Sequence, residues 1–144
     1  MNEAQDIVDW VHFEKSRAEL GSGFIRILSY FREDGAKSVG QIEQAMHDEN
    51  AVALVIPAHT LKGEARQFGA EPLAKLAELI ESTARLCIET HRFPDELVKQ
   101  VVELRRMFEQ TIELFDRATN PLLTRSPPQG AFGRKVGNQD FGRI

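Results

Sequence analysis

Residues 94–118 read PDELVKQVVELRRMFEQTIELFDRA. Leu97, Val101, Leu104, Phe108, Thr111, Phe115 and Ala118 recur at alternating steps of four and three. That near-heptad lays one apolar stripe along a helix. Pro94, Asp95 and Glu96 open it. Upstream, Glu71-Pro72 opens a similar helix whose stripe is Leu73, Leu76, Ala77, Ile80, Ala84 and Cys87, ending near residue 90. Before it, Asp48 is placed to cap a helix over about 49–68, stopped by Gly69. A long helix over about 23–47 buries Phe24, Ile27, Leu28, Phe31, Val39, Ile42 and Met46, and Gly35 loosens its middle. A first short helix over about 7–20 carries Trp10, Phe13, Arg17 and Leu20; Gly21-Ser22-Gly23 ends it, and Ser22 can cap the next. Four long amphipathic helices with short joints predict an all-α protein, an antiparallel up-down four-helix bundle with a short additional N-terminal helix over one end.

The chain has 144 residues, 42% apolar and 28% charged, which suits one soluble domain. With 18 basic and 22 acidic residues its formal charge is −4, against a nucleic-acid binder that works by bulk charge. A single cysteine, Cys87, excludes an internal disulfide and a cysteine-built zinc site. No apolar run approaches the roughly 18 residues of a membrane helix. The opening MNEAQDIVDW lacks the basic start and apolar middle of an export signal, so the expected compartment is the cytoplasm. Charge is uneven: residues 1–118 sum to −7 and residues 119–144 to +3. The expected organisation is a helical bundle over 1–118 and a basic Pro/Gly-rich tail over 119–144, flexible or packed along the bundle. Phe-Gly-Arg occurs twice in that tail, at 132–134 and 141–143.

The third helix carries the chemistry. On a wheel of about 100° per residue with His59 at zero, Leu54, Ala58, Leu61, Ala65 and Phe68 gather on the opposite side. The imidazole therefore projects from the bundle rather than into it. Lys62, Gly63 and Arg66 lie on its own face. Two cations beside the ring make room for a doubly charged anion on a ring nitrogen and oppose protonation of the ring. Gly63, one turn on, leaves the approach clear. Val55 and Ile56 add apolar surface at the same spot, as a docking patch would. Pro57 removes the bond to the Ala53 carbonyl and predicts a kink before His59. Glu64 sits beside the core edge, away from the ring. Nothing in the helix supplies a general base, a nucleotide pocket or a metal.

The stretch Ala58-His59-Thr60-Leu61-Lys62-Gly63, followed by Phe68-Gly69, resembles the signature of histidine-containing phosphotransfer (HPt) domains: His, any residue, Leu, Lys, Gly, then a second Gly ten residues after the His. His59, Leu61, Lys62, Gly63 and Gly69 fill those places, and Ile42–Met46 and Leu73–Glu81 resemble the flanking helices. The resemblance covers about residues 8–118. It implies a phosphorelay intermediate. His59 would accept a phosphoryl group from a receiver-domain aspartate of a hybrid sensor kinase and pass it to a response-regulator receiver. Lys62 and Gly63 would serve the transfer, and Arg66, Val55, Ile56 and Gln67 would bind the partner. It implies no bound cofactor, with Mg²⁺ supplied by the partner receiver. The sequence has no Gly-rich nucleotide loop, so no autonomous kinase activity is expected. With its charge and short apolar runs the expected protein is a monomer that contacts neither nucleic acid nor membrane.

Two other classes are weighed. A non-catalytic adaptor bundle would bind a receiver or kinase without phosphotransfer; transfer of label separates the two. A metal-binding bundle would use Glu-x-x-His pairs. Ile56, Gln44 and Ile88 stand three residues before His59, His47 and His91, so no such pair exists. His12, His47 and His91 read as ordinary surface or capping residues.

Overall fold

The computed structural model describes residues 7–120. They form α1 (Trp10–Leu20), α2 (Phe24–His47), α3 (Val52–Gln67), α4 (Glu71–Glu89) and α5 (Val98–Thr119), with 3₁₀ turns over Gly21–Gly23 and Asp95–Leu97. No strand occurs among the described residues, so the all-α expectation holds. The chain divides between Leu114 and Phe115 into two units. From residue 121 onward, the tail expected over 119–144 lies outside the described residues.

The stripes read from the sequence are the core of the first unit. Leu54, Ala58, Leu61, Ala65 and Phe68 of α3 are buried, as are Leu73, Ala77, Ile80, Ala84 and Cys87 of α4 and Leu97, Val101, Leu104 and Phe108 at α5. A chain of edge-on aromatic contacts stitches the helices. Phe13 of α1 meets Phe24 of α2 at 5.3 Å between centroids, Phe24 meets Phe68 at the end of α3 at 5.8 Å, and Phe31 reaches Phe108 of α5 at 5.9 Å. Offset and edge-to-face pairs of this kind add about 0.5–1.5 kcal/mol beyond their buried area. The Arg17 guanidinium closes the α1 end, over the rings of Phe13 and Phe24.

Helix ends follow local chemistry, and here the sequence reading needs correcting. α1 begins at Trp10, later than expected, because the Asp9 carboxylate accepts from the backbone N–H groups of Val11 and His12. Ser22 does not cap α2, which starts without a side-chain cap straight from the 3₁₀ turn. Asp48 does not cap α3. It closes α2 instead, Glu49 follows with φ +53°, and Asn50 Oδ1 takes the Ala53 N–H at 3.1 Å. Gly35 does not loosen α2, which runs unbroken; a Cβ there would strike the Phe108 ring. α3 continues through Pro57.

Gly69 ties α1 to the end of α3. Its φ of +82° is left-handed, its carbonyl accepts the Asp9 N–H at 2.9 Å, and a Cβ would lie 2.7 Å from the Asp9 carbonyl oxygen. Ser16 Oγ donates to the Gln67 carbonyl beside it. The second glycine of the motif is thus a structural joint. α3 itself packs against α2 on one flank and α4 on the other, and its remaining face carries His59.

Candidate functional site

His59 stands on α3 with its side chain 59% exposed, as the wheel predicts. What the wheel does not show is the residue behind it. Glu81 of α4 is 8% exposed, and its Oε2 lies 3.0 Å from His59 Nδ1. Oε1 lies 2.8 Å from Lys62 Nζ; no aligned hydrogen-bond donor reaches that oxygen, so it depends on the lysine charge. Arg85, one turn on along α4, donates from Nε and Nη2 to the same Oε2, at 3.1 and 2.9 Å. Burial alone would raise the Glu81 carboxyl. The Lys62 ammonium beside it and hydrogen bonds from Arg85 and His59 overcome that and hold it down at about 2. The group is a carboxylate at any physiological pH.

An ionised carboxylate only accepts hydrogen bonds. Nδ1 of His59 is therefore the donor, and in the neutral ring the lone pair is on Nε2. The arrangement orients a nucleophilic ring nitrogen and places a negative charge where positive charge would grow if that nitrogen attacked an electrophile. Around Gly63 nothing lies within 4 Å of where a Cβ would be, so one turn beyond the ring the surface is open.

The cations differ from the sequence picture. Lys62 is beside the ring but is spent on Glu81. Arg66 turns to α4, to Glu78 at 2.9 Å and Glu71 at 3.3 Å. The Glu78 hydrogen bond leads in raising its pKa, with Glu71 adding to it. Two free cations at the ring are therefore replaced by a carboxylate that faces Lys62 and accepts from Arg85 and His59. Ile56 is exposed as expected, with Val52 beside it on α3. Val55 is not: it is 8% exposed, because α4 packs against that flank of α3. Gln67 is exposed, and its carbonyl serves the α1 joint. Glu64 is half-buried; burial first, and then the charge of Asp34, raise its carboxyl, and it makes no part of the His59 cluster.

Glu81 and Arg85 were not singled out from the sequence. A signal existed: Glu81 interrupts the buried stripe of α4, between Ile80 and Ala84. A charge on a buried face requires a partner from a neighbouring helix. Among the described residues, no group of three or more His, Cys, Asp or Glu side chains could hold a metal ion. No helix among them is long and apolar enough to cross a membrane.

An all-helical unit that presents one oriented histidine on an open face is the architecture of a phosphotransfer module. The Hpt domain family model matches residues 26–114, and the chain belongs to that family. Its role is phosphotransfer in two-component signalling. The fold is similar to that of histidine-containing phosphotransfer protein B from Pseudomonas aeruginosa PAO1, with a TM-score of 0.68 at 22% identity. The match covers 78% of this chain and 93% of that one. No curated protein matches the sequence.

Proposed function

We propose that His59 is the phosphoryl acceptor and donor of a phosphorelay: it takes the group from an aspartyl phosphate on the receiver of a hybrid kinase and gives it to a response-regulator receiver. The observation that carries this reading is the contact of Nδ1 with the buried, ionised Glu81, which leaves Nε2 as the nucleophile of an exposed ring.

In the forward step the Nε2 lone pair forms the N–P bond while the O–P bond of the aspartyl phosphate breaks, and the aspartate departs as a carboxylate. The ring becomes cationic with its proton still on Nδ1, and Glu81 faces that charge. This is the preorganised stabilisation by which a buried acid supports a nucleophilic or basic histidine. The reverse step regenerates the neutral ring as the second receiver's aspartate attacks phosphorus. Mg²⁺, in this reading, belongs to the acidic pocket of the visiting receiver and spreads the charge on the transferring group. Lys62 keeps Glu81 ionised, Gly63 gives clearance, and Ile56 with Val52 offers apolar surface for docking.

The test is incubation with a panel of phosphorylated receivers from the same cell. The expected product is an acid-labile, base-stable phosphate on His59, absent from a folded His59→Gln variant. A receiver that binds tightly and never transfers label, across the whole panel, would leave the adaptor reading in place. Acid-stable label on His59→Gln would exclude His59 as the acceptor.

A further inference from the structure

Oε2 of Glu81 carries an uneven load. It accepts from His59 Nδ1 and from two nitrogens of Arg85, whereas Oε1 has Lys62 alone. The two cations also differ in reach. The Lys62 side chain is 20% exposed and wedged between α3 and α4, while Arg85 is 55% exposed. Arg85 lines an open groove between the helices with Val52, Val55, Ile56, Ile88 and Glu89. It thus sits between the histidine and the apolar surface beside it, one shared carboxylate oxygen away from the ring.

The charges define two states. With His59 bare and neutral, Glu81 is answered by two cations and the cluster holds one positive charge in excess. A phosphoryl group on Nε2 adds two negative charges, and the ring proton on Nδ1 becomes part of an imidazolium that bonds to Glu81 more strongly than a neutral ring does. Oε2 then needs Arg85 less, and the phosphoryl oxygens need a cation. Guanidinium matches a phosphoryl group in two-pronged geometry, which an ammonium does not. Lys62 is held at the buried oxygen and Arg66 by Glu71 and Glu78.

Resting on the reading that His59 is phosphorylated, we propose that Arg85 is a phosphorylation-sensing latch: bonded to Glu81 when His59 is bare, it transfers to the phosphoryl group when His59 is loaded. The move clamps the N–P bond against premature loss and changes the charge at the mouth of the groove. The loaded and empty forms then present different surfaces to a visiting receiver. Lys62 stays on Glu81 in both states and holds the carboxylate in place.

The experiment uses the full chain and phosphoramidate, a small donor that needs no receiver: Nε2 attacks phosphorus, the donor's P–N bond breaks and ammonia leaves. The Nε–Hε signals of the arginine side chains are followed by nitrogen-15 NMR, with Arg85 assigned from its absence in Arg85→Lys. Loading of His59 is expected to shift the Arg85 signal and leave that of Arg66 in place. Arg85→Gln is expected to take label and lose it faster, on the order of tenfold, the effect of removing one charge-assisted pair. Arg85→Lys should recover part of that lifetime. An Arg85 signal that does not move while His59 carries label overturns the latch and leaves the phosphotransfer reading intact, as does an unchanged label lifetime in Arg85→Gln. No label on wild-type His59, from phosphoramidate or from any receiver, overturns both.

Discussion

Glu81 fixes which ring nitrogen of His59 is free, and in the proposed transfer that nitrogen is the one that attacks. Glu81→Gln retains an acceptor oxygen for Nδ1 but removes the charge that faces the developing imidazolium, and it leaves Lys62 without a counter-ion. Phosphotransfer from a phosphorylated receiver is expected to slow by on the order of 10- to 100-fold. Receiver binding should change little, since Glu81 lies beneath the surface. Single-turnover transfer kinetics beside a binding isotherm separate the two effects, and equal losses in both would contradict the positioning role. The same residue gives a pH signature of stability. Its folded pKa, about 2, lies below the ordinary value of 4.5. Its contribution is therefore complete above about pH 4.5 and fades as pH falls toward 2. Discounted for solvent at the exposed His59 and Arg85, it amounts to about 2 kcal/mol. Urea melts of wild type and Glu81→Gln should differ most near neutral pH and converge as the acid limit is approached.

At the level of the helix, two ends are built against intrinsic preference. α2 and α4 each close with a left-handed residue that is not glycine, Glu49 at φ +53° and His91 at φ +56°. Around each, the following N–H reaches back to the helix: Asn50 to the Ala45 carbonyl and Arg92 to the Cys87 carbonyl. Glycine suits that conformation, whereas a side chain costs about 1 kcal/mol there. Glu49→Gly and His91→Gly are each expected to raise stability by about 0.5–1 kcal/mol, visible as a higher denaturation midpoint with an unchanged slope. The opposite change at Gly69 should be severe. Alanine would meet both a strained φ of +82° and the Asp9 carbonyl. Gly69→Ala is expected to cost about 2–3 kcal/mol and to release α1, read as faster amide exchange from Trp10 to Leu20. Exchange confined to the α3 end, with α1 still protected, would show that the joint lies elsewhere.

Across the first unit, the position of one helix against another depends on a few close approaches. Gly35 lets the Phe108 ring lie against the backbone of α2, and Glu43 holds the Arg105 guanidinium of α5 at 2.6 and 3.0 Å. Gly35→Ala therefore pushes α2 and α5 apart even though alanine favours the helix itself. A net loss of about 1–3 kcal/mol is expected in thermal unfolding. A gain would mean that the Phe108 ring turns aside without cost.

The sequence alone determined the helices, their buried stripes and the outward-facing histidine on which the proposed transfer rests. Those properties are local: a stripe depends on the spacing of apolar residues along one segment, and Gly63 and Lys62 lie within a turn of His59. Resemblance to a family signature sharpened the same residues. Tertiary structure decided what surrounds the ring. Whether Val55 faces water, which carboxylate Arg66 answers, and that Glu81 and Arg85 stand behind His59 all depend on α4 packing against α3. Partners 22 and 26 residues downstream meet only when two helices pack side by side, and no periodicity within one helix encodes the rotation of its neighbour. The sequence did mark the place, by leaving a carboxylate inside an apolar stripe; only the packed helices supplied the cations that hold it charged.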